Sequence, residues 1–293
     1  RAVVPAGVKL VSRDGRDVTF IHGAEATTPV PETRTAGQIA CGLGPDAVRC
    51  VVLTGSGSVF GFTLADGHCR TNEDGYGYGG GVRLLGSGCA VDCVITNCFA
   101  MRGGAAYSGT RTAGLVNSVV TDCHSVSPGA GAYIVGAWNC VFRNFSGSYS
   151  TYALYCANCY NCTLKSQLAA NSTKTFGWNT VLTAGDTSYL VMTNSYTSAA
   201  GDANSDWSSP DNKTSLNANT NLLTDAADMP VKGKHLGIDM ARWDYYTNCF
   251  PAVAADYMGK DAYGRSRVVN GAMDDSGIRY IRRVVRGDGQ PFG

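Results

Sequence analysis

One six-residue phrase recurs along this chain, and its spacing restricts the folds open to it. Cys93-Val94-Ile95-Thr96-Asn97-Cys98 is echoed by Ser118-Val119-Val120-Thr121-Asp122-Cys123 and by Cys140-Val141-Phe142-Arg143-Asn144-Phe145. Cys162-Thr163-Leu164-Lys165-Ser166-Gln167 and Leu190-Val191-Met192-Thr193-Asn194-Ser195 continue the series. The first positions step by 25, 22, 22 and 28 residues. Weaker copies stand at Gly61-Phe62-Thr63-Leu64-Ala65-Asp66 and Asp17-Val18-Thr19-Phe20-Ile21-His22. Between the copies lies a second phrase entered through small residues, as in Gly80-Gly81-Val82-Arg83-Leu84-Leu85, Gly104-Ala105-Ala106-Tyr107 and Gly131-Ala132-Tyr133-Ile134-Val135. Ser150-Thr151-Tyr152-Ala153-Leu154-Tyr155 fits the same slot. A unit of this length, with two or three short strands and no helical period, fits one coil of a parallel β-helix. Leucine-rich repeats need a Leu-x-x-Leu-x-Leu frame that is missing here, and propeller blades need roughly 40 residues.

The columns of the phrase carry a physical pattern. The third position reads Ile95, Val120, Phe142, Leu164, Met192, all apolar and expected inside. The fourth reads Thr96, Thr121, Arg143, Lys165, Thr193, all polar and expected outside, as strand alternation requires. The fifth reads Asn97, Asp122, Asn144, Ser166, Asn194. Stacked at about 4.8 Å per coil, these would ladder along a corner where Asn and Asp tolerate unusual φ/ψ. Cysteine takes first or sixth positions at Cys93, Cys98, Cys123, Cys140 and Cys162, where small polarisable side chains suit a core stack. An oxidising compartment would also permit pairing between adjacent coils.

The bulk numbers agree with this reading and close off other classes. Charged residues are 16% of 293, and 24 basic against 23 acidic side chains leave a net charge of +1. That balance provides no electrostatic footprint for nucleic acid and no basic face for an anionic membrane. A hydrophobic fraction of 44% beside 37 glycines describes a chain with a core and many turns. No run of 18 apolar residues suggests a membrane span. Twelve cysteines are too few for a disulfide-dense miniprotein and many for a cytosolic enzyme. The chain opens at Arg1 in mid-pattern and reads as a processed or trimmed piece, so the lack of a leader says nothing about export.

Phrases of the type Asn-Cys-Val-Ile-x-Asn-Cys alternating with Gly-Gly-x-Tyr resemble the pectate-lyase-like, right-handed β-helix repeat proteins common among bacterial secreted and surface proteins. Asp261-Ala262-Tyr263-Gly264-Arg265-Ser266-Arg267 and Asp274-Asp275-Ser276-Gly277-Ile278-Arg279-Tyr280 are similar to that family's Asp-x-x-Gly-x-x-Arg closing segment. Ser276 stands where Ile is usual, and Arg279-Tyr280 replaces the last residues of the family ending. The resemblance covers roughly residues 50 to 281 and implies an all-β, right-handed parallel β-helix (a solenoid), one domain with an irregular C-terminal cap. It implies a secreted or cell-surface location in a bacterium. It does not imply one activity, because the family hosts lyases, hydrolases, epimerases, adhesins and inert stalks.

Coils are expected over 1–198, with loop excursions at 23–49, rich in Pro and Gly, and at 66–80, rich in Gly and Tyr. Residues 199–293 read as an Asn/Asp-rich irregular segment, the closing segment and a tail carrying Arg282, Arg283 and Arg286.

Five candidate chemistries stand beside plainer readings. Arg143 and Lys165 fall at one outward slot in adjacent coils, and the resemblance makes them akin to the basic wall with which lyases hold acidic sugars. Repulsion between the cations could lower the Lys165 pKa toward the general-base range; the plainer reading is two solvated surface cations. Asp122 is the carboxylate nearest that face for glycosidase chemistry, which needs a pair of carboxylates, but its column reads as a structural ladder. Asp202, Asn204 and Asp206 alternate as oxygen ligands do in a calcium loop. Trp207 at the Gly position and Lys213 at the bidentate Glu position depart from that pattern, so a solvated turn is the plainer reading and no cofactor besides Ca²⁺ comes into question. Cys156, Cys159 and Cys162 have Cys-x-x-Cys spacing, but no histidine stands near them for a zinc site. Tyr76, Tyr78, Tyr107, Trp138, Tyr149, Tyr152 and Tyr155 are aromatic platforms available to a sugar ring, Tyr76, Tyr78, Trp138 and Tyr149 being the candidate ligand contacts, with coil stacking as the plainer role.

The functional expectation is a non-catalytic extracellular or cell-surface module serving adhesion, glycan contact or structural assembly. Its partners would be a polysaccharide, another surface molecule, or copies of itself joined end to end. The alternative is a polysaccharide lyase or glycoside hydrolase working on the outer face with Lys165, Arg143 and Asp122.

Overall fold

The computed structural model describes residues 1–28, 44–69, 77–109, 113–125, 131–143, 146–147, 154–160, 162–164, 175–178, 181–182, 190–193, 196–197, 251–257, 268–269 and 272–273. Over these residues the chain is an all-β solenoid of stacked parallel strands, consistent with a parallel β-helix. Each coil contributes one strand to each of several walls. Wall A stacks Ala2–Val4, Val51–Gly55, Val82–Gly86 and Ala106–Ser108 on the first half of Ala132–Trp138. Wall B stacks Lys9–Val11, Ser58–Phe60, Cys89–Val91 and Gly114–Val116 on the second half of that strand. The two walls fuse there because the corner between them closes into one seven-residue strand, followed by Leu154–Tyr160 in the same register. Wall C stacks Phe20–His22, Thr63–Ala65, Val94–Thr96, Val119–Thr121, Val141–Arg143, Thr163–Leu164, Val181–Leu182 and Tyr196–Thr197. Wall D is short: Phe99–Ala100, His124–Ser125 and Ser146–Gly147.

The expected columns hold in the middle coils. Ile95, Val120, Phe142 and Leu164 register on one another in wall C, and the first three are fully buried. Three register details differ from the sequence reading. Leu190–Thr193 belongs to wall B, where Met192 faces Gly177, so it is not a further copy of the wall C phrase. Leu64, not Thr63, opposes Ile95, so the copy at 61–66 is displaced by one residue, and the copy at 17–22 by two. A period-2 pattern in a three-residue strand leaves such slips open, and hydrogen bonding across coils decides them. Following this column from Ile21 to Thr197, successive coils take 43, 31, 25, 22, 22, 18 and 15 residues.

Two corners make the coil. Asp66, Asn97 and Asp122 hold φ of 58°, 48° and 52° at the C–D corner. Asp92, Asn117 and Asn139 hold 50–55° at the B–C corner, above Gly61 at 73°. These left-handed residues are what short Asx side chains and Gly tolerate best. Each reverses the strand alternation, so the next side chain points inward; it is Phe62 after Gly61 and a small one after the Asx residues. Cys93, Cys98, Cys123, Cys140 and Cys162 occupy those places, all fully buried. Each thiol donates to the carbonyl two residues back, at 3.1–3.4 Å. Ser118 does the same with its hydroxyl, at 2.8 Å. Cys50, Cys69, Cys89, Cys93, Cys98, Cys123, Cys140 and Cys162 are buried thiols that form no disulfide in this structure.

A single apolar core runs through the inner faces of walls A, B and C, from Val4 to Cys162. Outside wall B a second cluster joins Phe60, Val91, Val116, Trp138 and Tyr160, and the 3₁₀ segment Ala252–Tyr257 lies on it through Ala254, Val253 and Tyr257. The Trp138 ring folds flat over Gly136 and Gly114, where an added Cβ would meet it at 2.0 and 2.8 Å. Arg16 clasps this corner: its Nη1 lies 3.3 Å from Asp92 Oδ1 and donates to the Asn117 carbonyl at 3.2 Å. Asn117 Nδ2 donates to the Tyr257 carbonyl at 3.3 Å, so residues far apart in sequence meet at one ladder. Val268–Val269 and Ala272–Met273 form an antiparallel pair. The stretches expected to form a closing segment, Asp261 to Arg267 and Asp274 to Tyr280, lie outside the described residues, as do the tail arginines.

Asn117 separates two contributions to the corner. Asn117→Ala should lower unfolding free energy by about 1–3 kcal/mol, combining left-handed strain with the lost bonds to Asn139 and Tyr257. Asn117→Gly relieves the strain and should cost clearly less. Equal losses in urea unfolding of the two variants would show that the left-handed backbone is not the constraint.

Candidate functional site

The most distinctive outward surface is on wall A, where Val52, Arg83, Tyr107, Tyr133 and Tyr155 share one register column. Odd positions of these strands pack inward, so Val52, Arg83, Tyr107 and Tyr133 project outward. Tyr107 stacks on Tyr133 with ring centroids 5.0 Å apart and 18° between planes. Tyr78 arrives from the preceding loop and stacks on Tyr107 at 4.2 Å. The exposed Arg102 lies 5.8 Å over the Tyr78 ring, within cation–π reach. All three tyrosines are half-buried. Their faces are spent on one another, so what the row offers outward is ring edges and phenol groups at the coil spacing of about 4.8 Å. Burial and the neighbouring Tyr78 push the Tyr107 phenol pKa up, so it remains a neutral donor at ordinary pH.

Beneath the row, Arg83 is half-buried and Arg49 nearly fully buried at 3% exposure. Burial and then the nearby Arg49 charge pull the Arg83 pKa down. The buried Cys69 thiol beside both guanidiniums is still raised to about 12, because desolvation outweighs the two cations. It is therefore no nucleophile at neutral pH.

The other sequence candidates are placed as follows. Arg143 is half-buried on the outer side of wall C, and its register neighbour is Thr121. Asp122 is exposed at a left-handed corner and accepts the Thr121 hydroxyl at 2.7 Å. Trp138 is 8% exposed, stacks on Tyr160 at 5.6 Å and lies under the 252–257 segment, with its Nε1 lacking a hydrogen-bond partner among the described residues. Lys165, Tyr76, Tyr149, Asp202, Asn204 and Asp206 lie outside the described residues. Among the described residues no group of three or more His, Cys, Asp or Glu is placed to hold a metal ion. No described helix is long and apolar enough to cross a membrane.

Of the aromatic residues picked out in the sequence, the fold brings Tyr78 and Tyr107 together and adds Tyr133 and Arg102 to them. The signal available was the aromatic second place in the phrases at Ala106-Tyr107 and Ala132-Tyr133. A further outer stack went unread: His68 lies on Phe99 at 4.7 Å, and Phe99 on His124 at 5.7 Å, along wall D. Burial lowers the His124 pKa.

Acidic corners tie stability to pH. Asp66 accepts from Asn97 Nδ2 at 2.7 Å and lies 2.8 Å from His22 Nδ1; these bonds, Asn97 first, hold its carboxyl below its usual value. Asp46 is held to about 2, chiefly by the Thr27 hydroxyl. A depressed carboxylate stabilises above its unfolded pKa, about 3.9, and that contribution disappears as pH falls through the folded value. Acid unfolding should therefore begin below about pH 4, and Asn97→Ala should move the Asp66 titration upward in carboxyl NMR. An Asp66 titration unmoved by that variant would remove the corner bond as its cause. No protein-family model, curated protein or solved structure matches this chain.

Proposed function

We propose that this chain is a non-catalytic extracellular or cell-surface module, a right-handed parallel β-helix that holds a glycan against the Tyr78–Tyr107–Tyr133 row. The observation that carries the reading is the row itself, three stacked half-buried tyrosines with Arg102 beside them on a rigid wall. Stacking fixes the rings before any ligand arrives, so little side-chain entropy is lost on binding. Phenol groups and a guanidinium supply directional bonds to sugar hydroxyls. The wall beneath them is held by main-chain bonds between coils, which suits a surface that must keep one shape.

The alternative of a polysaccharide lyase or hydrolase rests on Arg143, Asp122 and Lys165. Asp122 next to a register neighbour of Arg143 is the feature that keeps it in play.

The purified chain on a panel of immobilised polysaccharides should bind at least one glycan, and Tyr107→Ala or Arg102→Ala should each weaken that binding by about tenfold, or about 1.4 kcal/mol. Unchanged binding in both variants would remove the row as the site. Release of reducing ends or unsaturated products that stops in Lys165→Ala or Asp122→Asn would replace the module by the enzyme.

A further inference from the structure

Two pairs of cysteines stand in register on adjacent coils. Thr96 faces Thr121 and Phe99 faces His124, which sets Cys98 opposite Cys123. Trp138 faces Tyr160 and Val141 faces Thr163, which sets Cys140 opposite Cys162. In-register residues on neighbouring strands lie about 4.8 Å apart, inside the Cα separation of about 4.4–6.8 Å that a disulfide needs. All four side chains are fully buried, and within each pair the thiols are in contact; Cys98 also has the Cys50 thiol beside it, but Cys50 is not its in-register neighbour.

The thiols' present bonds do not require cysteine. Ser118, in the same column between Cys93 and Cys140, makes the same bond to the carbonyl two residues back. Of the carbonyls two residues back that the four paired thiols touch, three also accept a backbone N–H: Thr96 from Asp66, Trp138 from Asn117 and Tyr160 from Asn139. Joining the sulfurs would leave those carbonyls satisfied. Cys93 has serine as its in-register neighbour and so has no partner of this kind.

We propose that Cys98–Cys123 and Cys140–Cys162 are cross-coil disulfide sites, closed during folding by exchange with a disulfide oxidant of the glutathione class. In each case one cysteine thiolate attacks the oxidant's S–S bond and releases one small thiol. The second thiolate attacks the mixed disulfide and releases the other. The two protein sulfurs are oxidised, the two oxidant sulfurs are reduced, and the two protons leave on the released thiols. Exchange belongs to folding because the native thiols are buried and protonated, out of reach of an oxidant. The inference is independent of what the outer walls bind.

The full chain, unfolded and reduced, would be refolded with glutathione disulfide and, in parallel, with a reducing thiol. Free thiols would then be alkylated in denaturant and the peptides mapped by mass. Peptides joined at Cys98–Cys123 and Cys140–Cys162, with a thermal midpoint above that of the reduced form, are expected. Cys98→Ser and Cys140→Ser should each remove one bond and part of that upward shift. Folded, oxidant-treated protein with these four cysteines alkylated, or linked to other cysteines, would overturn the proposal. If a variant fails to fold, the map of the unsubstituted chain decides alone.

Discussion

The left-handed corner is the constraint from which the rest of this solenoid follows. At the B–C and C–D corners a single Asx or Gly residue with φ between 48° and 73° turns the chain from one wall to the next. The turn interrupts strand alternation, so the following side chain enters the core, and after the Asx corners it is small. That is why cysteine recurs beside Asn and Asp here, and why serine can take its place at 118. Side chains at the corners then bond along the axis, Asn139 to Asn117 at 2.8 Å and Asn97 to Asp66 at 2.7 Å, which holds successive coils in register. Buried amides in such a ladder are fully committed, and one lost partner would leave a costly orphan.

With the corners held, the inner and outer faces do different work. Inside, Leu53, Leu84, Leu64, Ile95, Leu115 and Phe142 pack into one continuous core and leave little room for variety. Outside, each wall has its own character. Wall A carries tyrosine and arginine, wall B an apolar stripe under the 252–257 segment, wall C threonine with a minor valine cluster of Val94, Val119 and Val141, and wall D a histidine–phenylalanine–histidine stack. A repeat that repeats only inwardly can support recognition on one wall without disturbing its neighbours.

The middle coils were legible because their phrases satisfy several requirements at once: an apolar third place, a polar fourth, an Asx fifth and a small sixth. The first and later coils satisfied fewer, and there register went astray, with Met192 assigned to wall C and the copies at 17 and 61 displaced. Hydrogen bonds between strands 15 to 43 residues apart settled those positions, and nothing local to a three-residue strand encodes them. The candidate site was half legible. Tyr78 stood out as an aromatic in a glycine-rich stretch, but its partners Tyr107 and Tyr133 are 29 and 26 residues further along, each from the one before.

The sequence alone determined the class of this protein: strands of period two, corners needing Asn, Asp or Gly, and a thiol-lined interior, because each depends on local stereochemistry and side-chain size. Only the tertiary structure decided which outward residues meet. Stacking converts a separation of one coil into about 4.8 Å, and that conversion depends on register, loop length and the shrinking coil, all properties of the assembled chain. Tyr78, Tyr107, Tyr133 and Arg102 became a surface, and Trp138 became a covered core residue, for that reason.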